Sequence, residues 1–176
     1  MELGEAVCAA QGVDPAGVRG PTAPELETLL ALAPARKVTS LRDDHRRNAL
    51  RHARSCYDHL AGMVAVGILR AMVDQGTVVD DEHGMTLTAD GRRFFDGLGL
   101  DVEKLRRTRR PLLRPCLDWT ERRHHIAGTL GAALFGHLSD VGAMVRMPAS
   151  RAVTITPKGA EHLAATFGFD VTEHAA

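Results

Sequence analysis

LRDDHRRNALRHARSCYDHLAGMVAVGILRAMVDQG, Leu41 to Gly76, is the stretch on which the fold turns. It holds no proline and its apolar residues recur at helical spacing. It therefore reads as helix, in one piece or in two with a break near Gly62. Projected at about 100° per residue, His45, His52, Cys56 and His59 fall within about 60° of one another. Leu50, Ala53, Tyr57, Leu60 and Val64 form the neighbouring apolar strip. One edge is expected to carry metal-binding or acid–base side chains, and the adjacent face is expected to be buried.

The second half of the chain echoes this stretch. His59-Leu60-Ala61-Gly62 reappears as His125-Ile126-Ala127-Gly128, 66 residues on, and Gly76 as Gly142 at the same distance. Leu87-Thr88-Ala89-Asp90-Gly91 is echoed by Ile155-Thr156-Pro157-Lys158-Gly159, and Gly99-Leu100-Asp101-Val102 by Gly168-Phe169-Asp170-Val171. Upstream, Cys56-Tyr57-Asp58 is echoed by Cys116-Leu117-Asp118 at an offset of 60. Matches that keep their order while the offset drifts slowly indicate an internal repeat.

Each unit reads helix, β-hairpin, helix. Short strands are expected at Thr77–Val79 and Met85–Thr88, and again at Ala143–Met147 and Arg151–Thr156. Thr88 and Asp101 read as helix caps, with Phe94, Phe95 and Leu98 on the buried side of the helix after Thr88. Cys116–Arg123 and His124–Val141 read as helices, and Pro157–Phe167 as a closing one. Nearer the start, Thr22-Ala23-Pro24-Glu25 opens a helix, and Ser40 is placed to cap the long stretch. The expected fold class is α+β and helix-rich, two winged-helix-like repeats packed about a pseudo-twofold. The divisions are 1–40 for N-terminal helices and linker, 41–103 and 104–170 for the repeats, and 171–176 for a tail.

The runs Ala53–Gly62 and Cys116–Arg123, with His125-Ile126-Ala127-Gly128 and the two LT-x-x-G-like stretches, resemble the C-terminal region of the longer bacterial ArsR-type transcriptional regulators. The resemblance covers roughly residues 23–169. It implies a regulator's effector half, sensing a small molecule or metal at the seam between repeats and working as a homodimer. Such regulators usually begin with a winged helix-turn-helix. The residues before Ala23 are too few for one, which sets DNA binding by this chain in doubt. The helices in the recognition position, HLAGMVAVGILRAMVDQG and HIAGTLGAALFGHLSDVG, are apolar nearly all round and are expected to be buried.

The candidate site follows from residue chemistry. His52, Cys56 and His59, at i, i+4 and i+7, are the metal candidates; imidazole and thiolate suit zinc, copper, nickel or haem iron. With the second repeat, the ligand-binding set becomes Cys56, Asp58, His59, Cys116, Asp118, Trp119 and His125, facing a shared cavity that Trp119 walls. Asp58 lies about 200° from Cys56 on the wheel and is expected to orient an arginine or cap a helix. Arg47, Arg51, Arg54, Arg106, Arg109 and Arg110 are candidates for an anion or DNA contact, set against a plain solvated helix face. A cysteine near histidine and aspartate is also the stock of a nucleophile site. The alternative reading is thus an enzyme or a metal- or haem-binding protein that kept the effector fold and lost the DNA-binding domain.

Composition narrows the field. The 176 residues are 44% hydrophobic and 25% charged with zero net charge, which suits one compact domain or two halves sharing a core and excludes a uniformly polyanion-binding surface. No phosphate-binding glycine loop of either common pattern is present. No apolar run is long enough to span a membrane, and the acidic start does not read as a signal peptide. Three widely spaced cysteines fit a reduced, cytoplasmic setting better than a disulfide framework.

Overall fold

The computed structural model describes residues 40–171; the helices expected before residue 40 and the tail expected after residue 171 lie outside that range. Helix α1 (Leu41–His52) opens the described chain, its first turn capped by Ser40, whose hydroxyl accepts from Asp43 N at 3.1 Å. The helix then stops. Arg54–Cys56 (β1) and His59–Ala61 (β2) form a tight antiparallel hairpin, and only after Gly62 does helix α2 (Met63–Asp74) begin. This corrects the reading of Leu41–Gly76 as helix throughout.

Two backbone features cause the break. Tyr57 turns the hairpin in the left-handed region at φ 56°, and Gly62 sits at φ 90°, outside the reach of an ordinary side chain. A Cβ on Gly62 would lie 2.7 Å from the carbonyl oxygen of Arg51. The glycine therefore lets the end of the hairpin press against the end of α1.

Val78–Asp81 (β3) and Gly84–Leu87 (β4) make the expected hairpin, followed by α3 (Ala89–Gly97) and the short α4 (Val102–Arg106). Thr88 caps α3 by accepting from Gly91 N at 3.0 Å, and Asp101 caps α4 by accepting from Lys104 N at 2.8 Å. Of the three apolar residues assigned to the inner side here, Phe95 is fully buried and Phe94 and Leu98 are half-buried.

The next segment repeats the first correction. Arg114–Leu117 (β5) and His124–Ala127 (β6) are paired strands rather than helical turns, and Gly128 at φ 90° opens helix α5 (Gly128–Asp140). Met144–Arg146 (β7) and Val153–Ile155 (β8) form the last hairpin, and Thr156 caps α6 (Pro157–Phe167). Among the described residues the architecture is α+β, with six helices and four two-stranded antiparallel sheets.

The elements interlock. Helix α2 packs on β6, and α5 packs on β2; β2 and β6 lie beside each other. The edge of β1 reaches β8, where Ser55 N donates to Arg151 O at 2.8 Å and Val153 N to Ala53 O at 2.9 Å. The core between them is aliphatic and aromatic: Val64, Ile68 and Met72 from α2, Leu130, Leu134 and Leu138 from α5, with Phe95, Leu163 and Phe167. Burying each such side chain contributes about 1.5–3 kcal/mol. That holds the apolar faces of the two helices inside, where the sequence places them. No helix among the described residues is long and apolar enough to cross a membrane.

Candidate functional site

Hairpin register builds the site. In β1–β2, Cys56 stands opposite His59; in β5–β6, Cys116 stands opposite His125. The shift in sequence offset from 60 to 66 falls in the hairpin loops: Tyr57-Asp58 joins the first pair, and a longer connection, Asp118–Arg123, joins the second. Both hairpins thus present the same Cys–His pair despite unequal loops. Because β2 lies against β6, the pairs face each other.

Cys56, His59, Cys116 and His125 form one cluster in which each residue offers a donor atom within 4.8 Å of the others. None is more than 7% exposed. The two imidazoles meet through Nε2 at 3.2 Å, with ring centroids 5.1 Å apart. Their other nitrogens face carboxylates: His59 Nδ1 lies 3.4 Å from Asp58 Oδ1, and His125 Nδ1 lies 3.7 Å from Asp118 Oδ2. His125 Nδ1 is buried without a hydrogen-bond partner.

The cysteines are thiols, not a disulfide. Hydrogen bonding to Cys116, then burial, pushes the Cys56 thiol up to about 12, against the opposing hydrogen bonds of His125 and His59. A thiol so reluctant to ionise makes Cys56 a poor nucleophile. Four donors converging on one point from two hairpins match a single ion rather than a flat macrocycle, so the geometry does not favour haem.

Beneath the cluster lies a buried ion pair. Arg54 Nη2 donates to Asp118 Oδ2 at 2.9 Å, and both side chains are fully buried. The same Oδ2 accepts from Gly62 N at 2.7 Å, while Oδ1 accepts from Thr120 N at 2.9 Å, Thr120 Oγ1 at 2.6 Å and Glu121 N at 3.1 Å. Burial alone would raise the Asp118 carboxyl. The charge of Arg54 and the donors from Thr120 and Gly62 overcome it and hold the group at about 2. Arg54 stacks its guanidinium over Trp119, 4.5 Å from the ring centroid.

The predicted residues therefore divide. The structure gathers Cys56, His59, Cys116 and His125, with Asp58 and Asp118 behind the histidines. His52 and His45 stay on α1 and are not in the cluster, because Cys56 and His59 have left the helix for the hairpin. Trp119 covers Arg54. Arg54 is not a surface anion contact; its charge is committed to Asp118. Arg51 pairs with Glu121 at 3.0 Å, and Arg110 pairs with Asp58 at 2.5 Å, the arginine-orienting role expected of Asp58. The Arg110 hydrogen bond is also the main reason that the Asp58 carboxyl is lowered. Arg47, Arg106 and Arg109 are exposed.

Thr120 escaped the sequence reading, and Gly62 and Gly128 read there as a helix break and its echo rather than as strand ends at φ 90°. A C-x-x-H spacing around a two-residue turn is the signal that would have pointed to a cross-strand Cys–His pair.

A cleft of about 520 Å³ opens beside the cluster, lined by Tyr57, Asp58, His59, Arg110, Arg114 and Ala127. Of the four cluster residues, His59 is the one that lines it. A second depression of about 370 Å³ lies between α2 and the β5–β6 loop, lined by Leu69, Arg70, Asp80, Arg122 and His124 among others.

The chain is 44% identical over 134 residues to a Bacillus subtilis (strain 168) protein described as an uncharacterized HTH-type transcriptional regulator, YdfF. The match takes in 76% of this chain and 59% of that protein, so the chain spans less than two thirds of that relative's length. No protein-family profile and no solved structure matches it.

Proposed function

We propose that this chain is the effector-sensing part of an ArsR-like transcriptional regulator, and that sensing occurs where the β1–β2 and β5–β6 hairpins meet. The observation that carries the regulatory role is the likeness to a protein described as an HTH-type transcriptional regulator over 76% of the chain. Three features support the seam as the sensing site: the register that sets Cys opposite His in both hairpins, the reciprocal packing of α2 and α5, and the cleft beside His59.

In this reading, residues 41–103 and 104–170 are winged-helix-like repeats about a pseudo-twofold. An occupant at the seam touches both at once and biases their relative arrangement. The reading includes a cytoplasmic homodimer, for which exposed Leu41, Val79, Val145 and Met147 offer apolar surface. DNA contact is assigned to the wider regulator and not to α2 or α5, whose apolar faces are spent on the core.

The test is a promoter-reporter and gel-shift series with the full chain, alone and with candidate effectors. The expected result is effector-dependent output or retention of a DNA or protein partner. A chain that retains neither under any condition removes the regulator reading.

A further inference from the structure

We propose that Cys56, His59, Cys116 and His125 are the four ligands of one zinc-class divalent cation, clipping the β1–β2 hairpin to the β5–β6 hairpin. The inference deepens the seam reading above by naming its occupant, but its geometry stands without the regulatory role.

Four arguments carry it. The first is spacing. Zinc–nitrogen bonds of about 2.0–2.1 Å in a tetrahedron put two nitrogens about 3.3 Å apart. His59 Nε2 and His125 Nε2 are already 3.2 Å apart, and both thiols lie within 4.8 Å of these donors. Closing the shell then needs side-chain adjustment rather than backbone rearrangement.

The second argument is the outer shell. Each imidazole points Nε2 inward and Nδ1 toward a carboxylate, Asp58 for one and Asp118 for the other. A carboxylate behind a metal-bound histidine fixes its tautomer and raises its basicity. The unpartnered Nδ1 of His125 gains this role when its proton sits there and Nε2 binds metal.

The third argument is charge. Two thiolates and one divalent ion sum to zero, and the imidazoles are neutral. The Arg54–Asp118 pair beside the site is also neutral. A monovalent ion in the same shell would leave a net negative charge in a buried place, at a large desolvation cost.

The fourth is coordination number. Four protein ligands fill a tetrahedral shell and leave no open position for water or substrate, the pattern of structural and sensing sites rather than hydrolytic ones. The cleft at His59 supplies an entry path.

Loading balances as follows. The ion forms two bonds to sulfur and two to nitrogen. Cys56 and Cys116 each release one proton to solvent, and no electrons are transferred.

The experiment uses the full chain and zinc or cobalt alone, without DNA. Purified without chelator, the chain is expected to hold about one zinc ion. The chelated chain is expected to take up about one equivalent of cobalt(II), showing the visible bands of a tetrahedral ion and a thiolate-to-metal charge-transfer band. Cys116→Ser and His125→Ala are expected to weaken zinc binding at least about a hundredfold, more than a mutated outer-shell partner costs. Cys8→Ser is expected to leave it unchanged. Should the site variants fail to fold, the wild-type chain still decides the matter. Alkylation in mild urea, read by mass spectrometry, is expected to spare Cys56 and Cys116 in the zinc-loaded chain and to modify both after chelation.

A cobalt spectrum lacking thiolate charge transfer, equal alkylation with and without zinc, or undiminished binding in the folded Cys56→Ala/Cys116→Ala variant overturns the proposal. A chain that binds zinc here but changes no promoter output keeps this site and loses the regulator reading. Regulation without zinc binding does the reverse.

Discussion

Asp118→Asn in the metal-free chain is the sharpest test of what holds the hairpins together. The substitution conserves shape but replaces one acceptor oxygen by a donor. Asp118 accepts five hydrogen bonds, from Arg54 Nη2, Gly62 N, Thr120 N, Thr120 Oγ1 and Glu121 N. Either orientation of the amide sets an NH₂ group against donors and leaves Arg54 charged, buried and without its counter-ion.

Removing one member of a buried pair costs about 3–5 kcal/mol. The Asp118 carboxyl, held at about 2, sets an independent lower figure. Against an unfolded value of about 3.9, the ionised form gains about 2–3 kcal/mol on folding. Its pKa is depressed in the folded state, so this contribution is complete above about pH 4 and disappears as pH falls through about 2.

The assay is guanidinium unfolding followed by far-ultraviolet circular dichroism at pH 7 and at several acidic values. The variant is expected to lose about 3–5 kcal/mol at pH 7 with an unchanged denaturant slope, and to approach wild type as Asp118 itself protonates. In thermal unfolding the same loss corresponds to about 6–20 °C for a chain of this size. A loss under about 1 kcal/mol at pH 7, or a difference that does not shrink in acid, would falsify the assignment of Asp118 as the pin. Replacing both partners, Arg54→Met with Asp118→Leu, is expected to recover much of the loss, since the cost lies in the orphaned charge.

Further expectations follow from the same geometry. Gly128→Ala should destabilise by about 1–3 kcal/mol in chemical denaturation, because it demands φ 90° of an alanine and sets a Cβ 2.6 Å from Leu112 O. Asp58→Asn should weaken zinc affinity about 10–100-fold in competition with a chromophoric chelator, leaving stoichiometry unchanged, because it removes the carboxylate behind His59. With the Cys56 thiol pushed up to about 12, zinc affinity should rise with pH across the neutral range, by up to about two powers of ten per pH unit; pH-independent binding would rule out two-thiolate coordination. Chelation should lower the thermal midpoint of the wild-type chain and leave that of Cys116→Ser unmoved, as scanning calorimetry would show.

The sequence made the paired hairpins and caps after Gly76 and Gly142 readable, because Thr88 and Thr156 announce their helices and the flanking strands alternate. It did not reveal β1–β2 or β5–β6. These strands are no shorter than those of the last hairpin, but the Tyr57-Asp58 turn between β1 and β2 carries no glycine or proline to mark it. Nothing in Ala53–Asp58 breaks a helix: the turn is made by Tyr57 at φ 56°, where glycine or asparagine is the usual signal. Gly62 was visible but looked like a pause in one helix, whereas it ends a strand. The helical projection consequently grouped His45 and His52 with Cys56 and His59. The sequence echo pointed to Cys116 and His125 without any geometry; the register of the two hairpins and the contact of β2 with β6 are what bring the four residues together. Arg54 illustrates the opposite failure. In the sequence it is one arginine among many in a basic run, and only the tertiary structure sets Asp118 beside it.

The crossed packing of α2 on β6 and α5 on β2 bears on how the polypeptide matures. Each hairpin touches the helix that follows it, but packs more heavily against the helix from the other half of the sequence. A nascent chain emerging as far as residue 103 sets β2 and β3 against α2 but lacks β6, and so leaves part of the face carrying Val64, Ile68 and Met72 uncovered. Stable tertiary structure must await synthesis through α5, and until then that apolar surface is a target for chaperones.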